Sequence, residues 1–156
     1  MTTTTTYDFR DGNGPVPAHK HPNGGGWVAD SAYVAISAYV GPNAAVYGTA
    51  RVQEYAKILG NAKVYGDAYI SDNAKVLGNA KVYGNADISG NAKVYGNALV
   101  YNSALVCGNA EIYGNAKIYD NADVFGNVEV YDEAHIFGNA MVSGDVEIYG
   151  DALVCD

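Results

Sequence analysis

The chain is poor in the residues that usually mark an active centre. Its 156 residues include two cysteines, three histidines, one tryptophan and four prolines. Cys107 and Cys155 are too few for a disulfide framework or a cysteine-rich metal site. No apolar run approaches the ~20 residues that span a bilayer, so no membrane association is expected. Residues Met1 to Tyr7 form a threonine tract without the basic start and apolar stretch of a secretory signal, and the expected location is cytoplasmic. Lys and Arg are absent after Lys117, where the last 39 residues carry nine acidic side chains within a net charge of −8. That axial charge gradient lacks the basic stripe that tracks a phosphate backbone, which argues against nucleic acid as a partner.

What the chain has is a period. From Val28 to Val154 every sixth residue is Val or Ile, and four residues after each comes Ala, or Val at Val128 and Val146. Gly-Asn or a near equivalent usually stands between them. Positions six apart drift around a 3.6-residue helix and make no single face, and Gly and Asn in every repeat oppose helix. A short strand with a turn every six residues fits. In Lys81-Val82-Tyr83-Gly84-Asn85-Ala86, Val82 points inward and its neighbours outward. Gly84-Asn85 turns the chain, since both residue types tolerate left-handed backbone angles. Ala86 fills a corner too tight for a larger side chain.

This spacing, repeated over twenty times, resembles the hexapeptide-repeat family, and in particular bacterial and phage proteins made almost wholly of Gly-Asn-Ala-x-Val-Tyr repeats. The resemblance implies an all-β, left-handed parallel β-helix of triangular cross-section, with three hexads per 18-residue coil. Residues 28–156 then make about seven coils rising roughly 4.8 Å each, a rod of about 34 Å. Cys107 and Cys155 are not a whole number of coils apart, so no bridge is expected between them. Residues 1–27, with three of the four prolines, Gly24-Gly25-Gly26 and Trp27, read as an irregular N-terminal cap. The C-terminal end has no cap and is expected to meet a protein partner or another copy.

Stepping by eighteen stacks equivalent positions into columns. One face carries Tyr47, Tyr65, Tyr83, Tyr101, Tyr119 and Phe137 beside Lys63, Lys81, Leu99, Lys117 and His135. A second, the most polar, carries Gln53, Ser71, Ser89, Cys107, Phe125 and Ser143. The third carries Leu59, Leu77, Tyr95, Tyr113, Tyr131 and Tyr149 beside Lys57, Lys75, Lys93, Glu111, Glu129 and Glu147. A monomer seldom exposes two apolar stripes of this length. Packing the first face of one subunit on the third face of the next buries both, with Lys117 near Glu111, and a threefold rotation closes the ring. A homotrimer is the expected form, and the family resemblance points the same way.

Chemistry is harder to place. His19 and His21 could offer two arms of a metal site, as in the trimeric γ-class carbonic anhydrases of this fold, but His135 lies roughly 29 Å up the rod, so no metal and no cofactor are expected. Hexapeptide acyltransferases place a catalytic His on or near a loop that interrupts the coils. Here no loop interrupts residues 28–156, and His135 lacks an evident carboxylate to orient it. Catalytic residues are therefore expected to be none. An ice-binding face needs Thr-x-Thr ranks, which are missing. The leading expectation is a non-catalytic trimeric β-helix serving as a rigid binding or assembly module. An alternative is sequestration of a small anionic, nucleotide-like ligand between subunits or under the N-terminal segment, with Arg10, His19, Lys20, His21, Trp27, Arg51, Tyr65, Lys81 and Tyr83 as candidate contacts. A hexapeptide acyltransferase is the third.

Overall fold

Each Val or Ile of the period turns inward and drags its two neighbours into a short extended segment. In the computed structural model, which describes residues 4–156, these segments form three sheets among the described residues, with no helix. Among the described residues, no helix is therefore long and apolar enough to cross a membrane. One sheet has ten strands and the other two have seven each. From Trp27 onward, successive strands of a sheet are parallel and offset by one 18-residue coil, as in Lys63↔Lys81↔Leu99, Asp87↔Leu105 and Lys93↔Glu111. The result is a left-handed β-solenoid of about seven coils with a three-sided section. We call the sheets the first, second and third faces, entered at Trp27–Ala29, Tyr33–Val34 and Tyr39–Val40.

The interior is a stack of Val or Ile sides and Ala corners, all but sealed from solvent from Ala38 to Ile136. Ile58, Ile70, Ile88, Ile112, Ile118 and Ile136 are its largest side chains. Each fully buried Val or Ile contributes about 1.5–3 kcal/mol before chain entropy is subtracted. Val128 stands at a corner usually held by Ala and is still fully buried.

The corners follow a stricter rule than composition suggests. From Gly48 to Gly150 every sixth residue has positive φ, mostly Gly but also Glu54, Asp72, Asn102, Asp120 and Asp132. At Gly84 (φ 69°) an added Cβ would lie 2.9 Å from the Asn102 backbone N, so left-handed geometry and close coil stacking both favour glycine there. The Asn that follows does not share this role. Its φ is not positive, and its side chain runs up the rod instead. Asn61 donates to Asn79 at 3.1 Å, Asn79 to Asn97 at 3.2 Å and Asn97 to Asn115 at 3.1 Å, and a second ladder runs from Asn91 through Asn109 and Asn127 to Asp145. The expectation that both members of Gly-Asn supply left-handed angles is thus corrected: glycine makes the turn, and asparagine ties one turn to the next.

The N-terminal segment also departs from expectation, since it is not irregular. Strand β1 (Thr6–Asp8) and strand β2 (Pro15–Lys20) form a hairpin, and β2 pairs antiparallel with β3 (Trp27–Ala29), extending the first face below the first coil. The turn from His21 to Gly26 closes the edge of the third face, with Val40 N donating to Asn23 O and Gly26 N to Val40 O, both at 3.0 Å. A Cβ on Gly24 would sit 2.2 Å from Val40 O, so only glycine lets the turn approach this closely. At the other end of the described chain, Val146, Ile148, Ala152 and Val154 have no further coil above them and are partly or fully exposed.

Candidate binding surface on the tyrosine ladder

Alternation along each strand sends the residue after the inward Val outward, and the 18-residue register stacks these residues directly. On the first face they form a continuous ladder: Tyr47, Tyr65, Tyr83, Tyr101, Tyr119 and Phe137 stack with centroids 4.8 to 5.2 Å apart. The ladder would end at Ala29, one coil below Tyr47. Phe9 stacks there instead, 4.7 Å from Tyr47, and Tyr7 stacks on Trp27 at 4.5 Å beside Ala45. Two alanines stand where the repeat elsewhere places large residues, and aromatic rings from the hairpin take up the room. Phe9, Ala18, Ala29, Ala45 and Tyr47 make a second small core. Burial, then Tyr65 and Asp11, push the Tyr47 phenol well above its usual range; burial and Tyr83 raise Tyr65 less far.

Just past Phe9 the chain climbs the outside of this face. Arg10 and Asp11 come to rest beside Tyr47, Lys63, Tyr65 and Lys81, enclosing a groove of about 230 Å³. The Asn13 backbone N–H and side-chain amide hold the Asp11 carboxyl below the ordinary value, with Lys63 adding to the effect. Three cations and one anion therefore line a cleft walled by phenol rings, which has the chemistry to hold a small anion bearing a flat ring.

The anion-site candidates from the sequence are only partly gathered here. Arg10, Tyr65 and Lys81 line the groove, and Tyr83 is the next ring up the ladder. Lys63, Tyr47 and Asp11 were not among those candidates; the columns place Lys63 and Tyr47 beside Lys81 and Tyr65, but the hairpin that closes the groove carries no periodic signal. Lys20 lies over the Trp27 ring at 5.3 Å. The His19 ring nitrogen is 2.7 Å from an Asp30 carboxylate oxygen, at the surface. His21 is buried and holds the capping turn, its Nδ1 3.1 Å from Asn23 O, away from the groove. Arg51 is on the second face, with Tyr33 and Gln53. Among the described residues no three His, Cys, Asp or Glu side chains are grouped to hold a metal ion.

The third face is also aromatic but differently paired. Tyr95, Tyr113, Tyr131 and Tyr149 stack at 4.8 to 5.4 Å. Tyr95 donates to Glu111 at 3.0 Å and Tyr113 to Glu129 at 3.1 Å, and Lys93 meets Glu111 at 2.6 Å. Burial and the Glu129 bond push the Tyr113 phenol up to about 12, while Lys93 holds the Glu111 carboxyl below the ordinary value. Leu77, Lys93, Tyr95 and Glu111 line a shallow hollow of about 440 Å³. On the second face, Asp87 has a buried carboxylate oxygen without a partner, and burial and Asp72 raise its carboxyl. Burial and nearby Asp87 and Asp123 likewise raise the Cys107 thiol, which disfavours the nucleophilic thiolate. His135 meets the edge of Tyr119 at 6.0 Å, and among the described residues no carboxylate is hydrogen-bonded to its ring.

Neither a curated protein nor a solved structure matches the chain significantly. A family model described as the YdcK β-solenoid repeat matches residues 92–108, about one coil in the middle of the rod. The match and the three-sheet fold together support a β-solenoid repeat for this chain.

Proposed function

We propose that this chain is a non-catalytic assembly module, a rigid rod whose flat aromatic faces dock on further copies of itself. The six-residue repeat, which resembles that of hexapeptide-repeat proteins, commonly trimers, supports this finer reading. The observation that carries the proposal is the pair of ladders on the first and third faces, whose rings stack face to face along the rod and above Tyr47 stay open to solvent in part. An uninterrupted rod with no base held over a cleft offers little to catalysis. The threefold arrangement sets the first face against the third at equal height. It brings Lys117 level with the partner's Glu111, but also Lys63 and Lys81 level with the partner's Lys57 and the partner's Lys75. Sedimentation equilibrium of the purified chain tests the proposal. An oligomer in the micromolar range supports it, and a monomer at every concentration overturns it.

The groove under the hairpin favours a second reading, capture of a small anion with an aromatic base. Arg10, Lys63 and Lys81 supply the charge and Tyr65 the stacking surface. A nucleoside diphosphate should then perturb tyrosine fluorescence in the wild-type chain. The response should weaken at least about tenfold in Lys81→Ala, the loss of one desolvated charge contact. No response in either protein excludes this reading.

A further inference from the structure

Resting on the self-assembly reading above, we infer that the third face pairs with the third face of a second copy, antiparallel, about a twofold axis between the levels of Lys93 and Glu111. The outward column on this face runs Lys57, Lys75, Lys93, Glu111, Glu129, Glu147, stacked in register one coil apart. Three like charges stacked at strand spacing repel one another, and here that happens twice. Within the chain only Lys93 and Glu111 neutralise each other; among the described residues Lys57, Lys75, Glu129 and Glu147 have no ion-pair partner.

The order of the column is its own complement when read backwards. A twofold axis lying in the face and perpendicular to the rod inverts height but preserves position across the face. Each column therefore meets itself reversed. Lys57 comes opposite the partner's Glu147, Lys75 opposite the partner's Glu129, and Lys93 opposite the partner's Glu111. Every unpaired charge gains an opposite one. The apolar column behaves in the same way. The short Leu59 and Leu77 meet the partner's Tyr149 and the partner's Tyr131, and Tyr95 meets the partner's Tyr113. The hollow beside Leu77 and Tyr95 lies next to the axis, where a partner ring can enter. A parallel pairing of the same faces would instead set the charged column on the apolar one.

Six coils span about 29 Å, and five residues across add roughly 16 Å, so the flat contact is about 450 Å² per copy. That lies near the lower limit of specific interfaces. The dimer should accordingly be of micromolar strength and sensitive to salt.

The test is sedimentation of the full chain at low and high salt, with charge reversals on this exposed face. Wild type should form a dimer at 50 mM salt, with a dissociation constant at least about tenfold weaker at 0.5 M. Lys75→Glu and Glu129→Lys should each weaken the dimer about tenfold or more. The double variant Lys75→Glu/Glu129→Lys should return to within about threefold of wild type, because the two positions face each other only in the antiparallel pair. Circular dichroism checks that each variant stays folded, and restoration in the double variant shows that the single reversals act on contact rather than on folding. A trimer, or a dimer that the double reversal does not restore, overturns this inference and leaves self-assembly standing. A monomer at all concentrations overturns both.

Discussion

At the scale of single residues, the repeat assigns one task to each position. The inward Val or Ile fills the core, the corner Ala admits the bend, the positive-φ residue turns the chain, and the following Asn bonds to the coil above. Departures from the assignment carry a cost that can be measured. Asp87 places a carboxylate in an outward column between Tyr69 and Leu105, with one oxygen buried and unpartnered. Its raised pKa means that the folded state favours the protonated form. The stability that form supplies is present below the unfolded value of about 3.9 and is lost as pH rises through the higher folded value. Asp87→Asn removes that loss. The variant should therefore melt above wild type at pH 7, by roughly 2 °C after allowing for the solvent that reaches much of this side chain. The difference should shrink towards zero near pH 3. Thermal denaturation followed by circular dichroism at the two pH values checks both the sign and the trend.

At the scale of elements, the hairpin of β1 and β2 is the one part that the period does not describe. It is held by aromatic stacking on the first face and by β2 pairing with β3. Ala29 and Ala45 leave the space, and Phe9 and Tyr7 enter it. Phe9→Ala should cost about 3 kcal/mol, the lower end for losing a buried ring, because this small core can partly close. The loss should be local. Amide exchange should accelerate in residues 5–20 and hardly change in the coils from 81 to 118, since each coil contacts only its neighbours. The Tyr47 phenol, no longer walled in by Phe9, should titrate closer to an ordinary tyrosine in an ultraviolet absorbance titration. Unchanged exchange in the hairpin would show that strand pairing alone holds it.

For the whole molecule, stability is additive along one axis, and the coil rather than the hexad is its unit. Removing residues 81–98 deletes one full coil and joins Ala80 to Leu99 with every column intact. Removing residues 81–86 keeps the six-residue period but rotates everything above by one face. The tyrosine and asparagine ladders would then be broken and the charged column of the third face scrambled. The 18-residue deletion should remain cooperative and lose only a few degrees in melting temperature, whereas the six-residue deletion should melt markedly lower or in two steps. Equal behaviour of the two would mean that outward ladders contribute little beside the core.

The fold was legible because its cause is local and repeated: an inward β-branched residue every six positions fits short strands joined by turns, and the faces follow from counting by eighteen once the family resemblance supplies three hexads per coil. The three outward columns, including the charge order of the third face, needed nothing beyond that count. Tertiary structure decided what the count does not reach. It brought Arg10 and Asp11 over Lys63 and Lys81 and buried His21 in a turn. Those placements depend on a hairpin with no period, whose docking is set by the room that two alanines leave in a ladder. Such shape complementarity between distant segments exists only once the coils have stacked.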